Sequence, residues 1–203
     1  SDFSASNGEE AILLPFDEEE YRGTAWLDVD GNCQDTRTEA LIAMGLDVVL
    51  SDDKCQVIAG SWRDAFTGKT YTSPDSVRLI HVVPLRHAHE SGAHLWNKNK
   101  KQEFANSLVR TRDFGLTPQA ALGSNIIIAA TDPRDDQAIE TWIPDSPVRQ
   151  CEYVARWLTV KTIWELEISE DEHFVFSDVL QSCAYAGARR QDRNLNLTPP
   201  NMP

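Results

Sequence analysis

The chain is short of positive charge. Nineteen Lys and Arg face 32 Asp and Glu, a formal net charge of −13. So acidic a surface repels polyanions at long range. A protein of this kind grips phosphates only through a local basic patch, or in salt high enough to shrink the Debye length to about 3 Å. No apolar run approaches the ~20 residues of a membrane-spanning helix, so no membrane partner is expected. None of the four cysteines stands in a Cys-x-x-Cys pair, which argues against a structural zinc site. Internal repeats are absent. The chain also starts Ser1-Asp2-Phe3 without a Met, as a processed mature form would.

What is present is ordinary globular composition: 203 residues, 41% hydrophobic, enough for one domain with a real core. Residues 1–20 read as an acidic arm ending in Asp17-Glu18-Glu19-Glu20, ordered only where Ile12-Leu13-Leu14 and Phe16 dock. Residues 21–186 form the expected single domain, and 187–203 a disordered polar tail. Asp35 or Thr36 caps a helix from Arg37 to Met44, which Gly45 ends. A short strand at 48–50 and a hairpin of 56–62 with 69–72 follow. Val77–Val83 reads as a buried strand, Leu85–Glu90 as a short helix, and Asn97–Val109 as a surface helix. Residues 110–123 read as an insert or lid, and Asn125–Ala129 as a second buried strand. Helices are expected from Pro133 to Trp142, Val148 to Ile163 and Glu170 to Ala186, the last stopped by Gly187. The stripe Tyr153, Trp157, Val160 and Trp164 reads as core.

The chemistry gathers at Leu79-Ile80-His81-Val82-Val83-Pro84-Leu85 and the Arg86-His87-Ala88-His89-Glu90-Ser91-Gly92-Ala93-His94-Leu95-Trp96 that follows. Four of five histidines fall here. A single His inside an apolar strand is most often a satisfied core residue. Clustering turns the reading toward acid–base or metal chemistry.

His-Val-Val-Pro-Leu with Ala-His-x-Ser-Gly-Ala-x-x-Trp resembles the active-site box of the secreted HNH (ββα-metal finger) endonucleases. The segment Trp26-Leu27-Asp28-Val29-Asp30-Gly31-Asn32-Cys33-Gln34-Asp35-Thr36-Arg37-Thr38-Glu39 is similar to the family's Asp-x-Asp…Cys-x-x-Thr-Arg-x-Glu. Cys55-x-Val57…Gly60-x-Trp62…Thr67-Gly68, Lys100-Lys101…Phe104-Ala105-Asn106, Trp142-Ile143-Pro144, Cys151-x-Tyr153 and Val160-Lys161 resemble later landmarks, in order over roughly residues 20–170.

The resemblance implies an α+β fold: a ββα-metal finger core with an N-terminal helix and hairpin, an enlarged helical insert and C-terminal helices. It implies a secreted or periplasmic, metal-dependent, sequence-tolerant endonuclease acting on DNA or also on RNA; the chain is expected to be a monomer, and its acidic surface fits a salt-tolerant protein. His81 is the expected general base, Arg37 the phosphate clamp or else a salt-bridge partner of Asp28 or Asp30, and Asn125 either the residue pinning the loop that carries the base or a strand-edge Asn. A single Mg²⁺ or Mn²⁺ would be held among Glu39, His89 and Asp132, with His87 and His94 facing solvent. Four cysteines allow three pairings. With the resemblance, chain order favours Cys33–Cys55 and Cys151–Cys183, each loop contributing about 3–4 kcal/mol.

Two departures bear on the metal. Family members carry Asp before the base, where this chain has Ile80, and an Asn-Arg-x-Lys-Gly segment, where it has Thr131-Asp132-Pro133-Arg134-Asp135. Asp132 then either replaces the missing Asn or caps a helix. Glu39 is either a ligand or an ordinary helix carboxylate. These departures, with the acidic charge, keep open a non-catalytic binding or structural descendant of the fold. A third reading is a calcium loop with Asp28, Asp30, Asn32 and Glu39 at positions 1, 3, 5 and 12. It has Cys33 where the sharp turn needs Gly.

Overall fold

Two antiparallel strands carry the site. In the computed structural model, which describes residues 14–108, 124–134 and 137–195, the chain is a mixed α+β protein. A short helix α1 (Glu18–Arg22) opens it, its N-terminus capped by the Asp17 carboxylate. The acidic run expected as a solvated arm therefore begins a helix, and Tyr21 is fully buried. Helix α2 (Thr36–Met44) is capped by Asp35, whose side chain accepts from the Thr38 amide.

Strands β1 (Leu46–Leu50), β2 (Val57–Arg63) and β3 (Thr70–Tyr71) form an antiparallel meander. Gly45 joins α2 to it without a left-handed turn. A Cβ there would lie 2.5–2.6 Å from Val48, the Leu41 carbonyl and the Trp62 indole nitrogen, so only glycine admits the close approach. The Trp62 indole in turn donates to the Leu41 carbonyl at 2.8 Å.

Strands β4 (Arg78–His81) and β5 (Ile126–Ala129) pair separately, with Ile80 opposite Ile127 and His81 opposite Ile126. Alternate residues point to opposite faces. Ile80, Ile127 and Ala129 join the main core, while Val77 and Ile128 join a smaller one beneath α2 and Trp62. Both faces of the pair are covered, which explains the unbroken apolar run at 126–129.

Helix α3 (Leu85–Glu90) follows Pro84 as expected. Helix α4 (Lys98–Asn106) is not a purely surface helix: Lys101, Phe104, Ala105 and Asn106 are buried. Lys101 reaches Glu20 while its ammonium lies over the Tyr21 ring, so α4 packs on α1. Helix α5 (Pro147–Ile163) buries Tyr153, Trp157 and Val160 as its periodicity predicts. Helix α6 (Glu170–Leu195) runs through Gly187, where a stop was expected. A glycine inside a helix costs only about 1 kcal/mol.

The helix expected over 133–142 is not formed among the described residues, which make isolated turns. The Asp132 carboxylate bonds the Arg134 amide, a local alternative to the helical ladder. The cysteines pair as the resemblance implied: Cys33–Cys55 ties the loop before α2 to that before β2, and Cys151–Cys183 staples α5 to α6. No helix among the described residues is long and apolar enough to cross a membrane. The insert at 110–123 and the residues of the tail beyond 195 lie outside the described residues.

Candidate active site

His81 closes β4 at the floor of a cleft of about 500 Å³. Its Nε2 lies 2.8 Å from the Ala105 carbonyl oxygen on α4. A carbonyl only accepts, so Nε2 carries the hydrogen and Nδ1 is left with a bare lone pair. Enclosure of the ring lowers its pKa to about 4, against the Ala105 hydrogen bond, which favours the charged form. The imidazole is therefore neutral at pH 7, as a general base must be.

The loop after His81 is fixed by two residues. Asn125, fully buried, accepts from the Val83 amide at 2.8 Å and donates to the Val83 carbonyl at 3.0 Å, and its own carbonyl accepts from the Val82 amide. Asn125 thus holds the loop through backbone groups and not from within the cleft lining. Arg134, 1% exposed, sends Nη2 to the His81 carbonyl and Nη1 to the Val82 carbonyl, both at 2.6 Å. Its Nη1 also reaches the Tyr153 hydroxyl.

The cleft wall is cationic. Arg22, Arg37, Arg78, Arg86 and Arg134 line it beside only Glu18, Asp75 and Asp132, a formal +2 from five guanidiniums and three carboxylates. In a chain of −13 this is a local basic patch. Arg37 reaches it from α2, its Nη2 donating to the Pro74 and Val77 carbonyls. Its Nη1 is shut off from solvent with no hydrogen-bond partner among the described residues. Trp26 and Phe16 supply aromatic surface, the Trp26 ring 5.8 Å from that of His81 and Phe16 beneath the Arg86 guanidinium.

The three expected metal ligands do not converge. Asp132 does line the cleft. Burial opposes its ionisation, but the Arg134 guanidinium holds its carboxyl below the usual value, and both its oxygens accept from Arg134. His89 is 1% exposed and used on both sides: Nε2 donates to the Leu14 carbonyl and Nδ1 accepts from the Tyr21 hydroxyl. Glu39 lines a different cavity, with Asp28, Asp30 and Glu103. Cys33 does take the left-handed turn, φ 71°, that a calcium loop asks of glycine. The Asp28 carboxylate, however, accepts from the Gly31, Asn32 and Cys33 amides. Among the described residues no group of three or more His, Cys, Asp or Glu is arranged to hold a metal ion. Among the described residues the donor set does not fit the divalent ion that the resemblance implies.

His87 and His94 are not free in solvent. His87 bonds Glu172 at 3.1 Å, and His94 Nδ1 donates to the His89 carbonyl at 2.9 Å. Sequence reasoning missed the arginines other than Arg37, and Trp26 as a cleft residue. Arg134 stood within the altered 131–136 stretch, but its reach to the 81–82 carbonyls leaves no trace in residue type.

No protein-family model matches the chain, and no solved structure does. An uncharacterized secreted protein of the fungus Arthroderma benhamiae is 32% identical over 162 residues, 78% of this chain and 72% of that protein. Together with two disulfides in the fold, this places the chain outside the reducing cytosol. The protein is secreted, and it belongs to the family of that fungal protein.

Proposed function

We propose that the protein is an endonuclease of the HNH-like type that hydrolyses or transesterifies phosphodiester bonds of nucleic acid, with His81 as general base. One observation carries the reading: a neutral histidine with a bare Nδ1 sits in an arginine-lined cleft of an otherwise acidic chain. The β4–β5 pair with the base at the end of its first strand supports the likeness to the ββ half of a finger.

Each side chain has a role within this reading. His81 Nδ1 takes the proton of the attacking oxygen, water or hydroxyl. The guanidiniums of Arg22, Arg37, Arg78 and Arg86 hold the phosphate and meet the charge that grows on its oxygens in the transition state. Asn125 and Arg134 are positioning residues that fix the loop of the base. A cleft of this charge also draws a polyanion locally past a repelling surface, and does so best in added salt, which screens the rest of the molecule.

The test is cleavage of plasmid DNA and of a long RNA by the purified protein, from low to high salt, with and without Mg²⁺ or Mn²⁺. Cleavage of either polymer is expected. Tight binding without cleavage in every condition would replace the enzyme by the binding descendant of the fold, which the scattered metal-ligand candidates favour. Neither binding nor cleavage would end both readings.

A further inference from the structure

Resting on the nuclease reading, we propose that the preferred substrate of the cleft is unpaired RNA, cut without a metal by attack of the ribose 2′-hydroxyl on the adjacent phosphorus. The argument begins with what occupies the place of a metal. Asp132, the carboxylate nearest in sequence to the family's ligand segment, gives both oxygens to Arg134. The Arg134 guanidinium spends its N–H groups on Asp132, Tyr153 and the His81 and Val82 carbonyls, so the cations that face a phosphate here are the four other arginines of the same wall.

Guanidinium groups stabilise a pentavalent phosphorane well, because their planar forks match its oxygens. They do not, however, acidify a water as a divalent ion does. The nucleophile must then come from elsewhere. A ribose 2′-hydroxyl is already held beside phosphorus by the substrate's own frame. Well-oriented intramolecular nucleophiles reach effective molarities on the order of 10⁵–10⁸ M. It needs only a base, and Nδ1 of His81 is one with its lone pair free.

Two further observations point to a ligand of this kind. Arg37 lines the cleft, and its Nη1 is buried with no hydrogen-bond partner among the described residues, an N–H that a small shift of the side chain would turn to a ligand oxygen. The half-buried Trp26 ring lies 5.8 Å from the His81 ring with the Arg22 guanidinium 5.6 Å over it, so a base that stacks on Trp26 takes the place of that guanidinium. A base stacks there only if it is not already stacked and paired within a duplex. The 2′-hydroxyl is also the group by which a protein separates RNA from DNA.

In the step, the 2′-oxygen gives its proton to His81 Nδ1 and forms a bond to phosphorus. The P–O5′ bond breaks, and the leaving 5′-oxygen takes a proton from water. The hydroxide left behind is neutralised by the proton on His81. The products are a 2′,3′-cyclic phosphate and a 5′-hydroxyl, with no oxidant, metal or net water consumed.

The full-length secreted protein is assayed in excess EDTA on four oligonucleotides of one sequence: single-stranded RNA, its 2′-O-methyl form, the DNA equivalent and the RNA duplex. Mass spectrometry identifies the ends. Single-stranded RNA is expected to yield 2′,3′-cyclic phosphate and 5′-hydroxyl ends, at least about 100-fold faster than the other three. Trp26→Ala is expected to raise KM for the RNA about tenfold, with Trp26→Phe near the parent. Cleavage that requires a divalent ion, or acts equally on DNA, or leaves 5′-phosphates, overturns this inference and leaves the nuclease standing. Absence of cleavage on all substrates with and without metal removes the nuclease itself.

Discussion

The Ala105 carbonyl oxygen, on α4, lies 2.8 Å from Nε2 of His81, on β4. That contact sets the tautomer, and so which nitrogen is free to act. Removing the imidazole removes the base but little packing, since the residue keeps part of its surface on the cleft. His81→Ala is expected to lower the cleavage rate at least ~10²-fold, the usual scale for a general base. Its far-UV circular dichroism and urea midpoint should stay near the parent's. Near-parental cleavage by a folded His81→Ala protein would take His81 out of the mechanism.

The pH profile follows from the same ring. Enclosure lowers the His81 pKa to about 4, and the protonated form has no lone pair at Nδ1. The rate should therefore be level through neutral pH and fall about tenfold per unit only below roughly pH 4. An unshifted histidine would begin to lose activity near 6.5. Initial rates on RNA from pH 3 to 8, taken within the time the fold survives, distinguish the two limbs.

Arg134 is expected to be the costliest of the cleft arginines to replace, because it holds the backbone carbonyls of the base and of the residue after it. Its fork reaches the His81 and Val82 carbonyls and Asp132 at once. A lysine keeps the charge but cannot span all three. Arg134→Lys should lose about 1–3 kcal/mol of stability, for buried acceptors left unpaired, and roughly tenfold in kcat as the base loses its placement. Urea unfolding and steady-state kinetics check the two numbers. Unchanged kcat would confine Arg134 to holding the fold.

Local signals were legible where the residue type itself makes the bond. Asp35 caps α2, the apolar run at 126–129 is a strand covered on both faces, and Asn125 pins the loop beside it. What escaped sequence reasoning depends on groups distant in the chain. His89 has the composition of a metal ligand, yet Leu14 and Tyr21, 75 and 68 residues away, take both ring nitrogens. Pro133 looks like a helix start, but Arg134 is drawn away to the carbonyls at 81 and 82. The charge of −13 argues against phosphate binding, while the arginines that answer it come from four separate stretches, at 22, 37, 78–86 and 134. Net charge carries no information about such convergence.

Away from the cleft, Lys161 and Glu172 form a buried ion pair at 2.6 Å that joins α5 to α6. Lys161 also donates to Ser91 and the Glu167 carbonyl, and Glu172 accepts from His87, Trp157 and the Ser169 amide. Burial alone would raise the Glu172 pKa, but hydrogen bonds from His87, Lys161 and the others hold it at about 2, below its ordinary 4.5. A carboxyl depressed in the folded state stabilises the fold fully above its unfolded pKa, and that contribution fades as pH falls from 4.5 through about 2. The neutral His81 adds to the same trend between 6.5 and about 4, where the unfolded chain binds the extra proton. The urea midpoint should thus drop continuously from pH 6.5 to 2. Lys161→Met leaves the Glu172 charge buried and unmatched, at a cost of about 3–5 kcal/mol at pH 7. Acid should then spare the variant relative to the parent, because protonating Glu172 relieves the unmatched charge. A parent and variant that lose stability in parallel down to pH 2 would mean that Glu172 does not carry the pair's acid sensitivity.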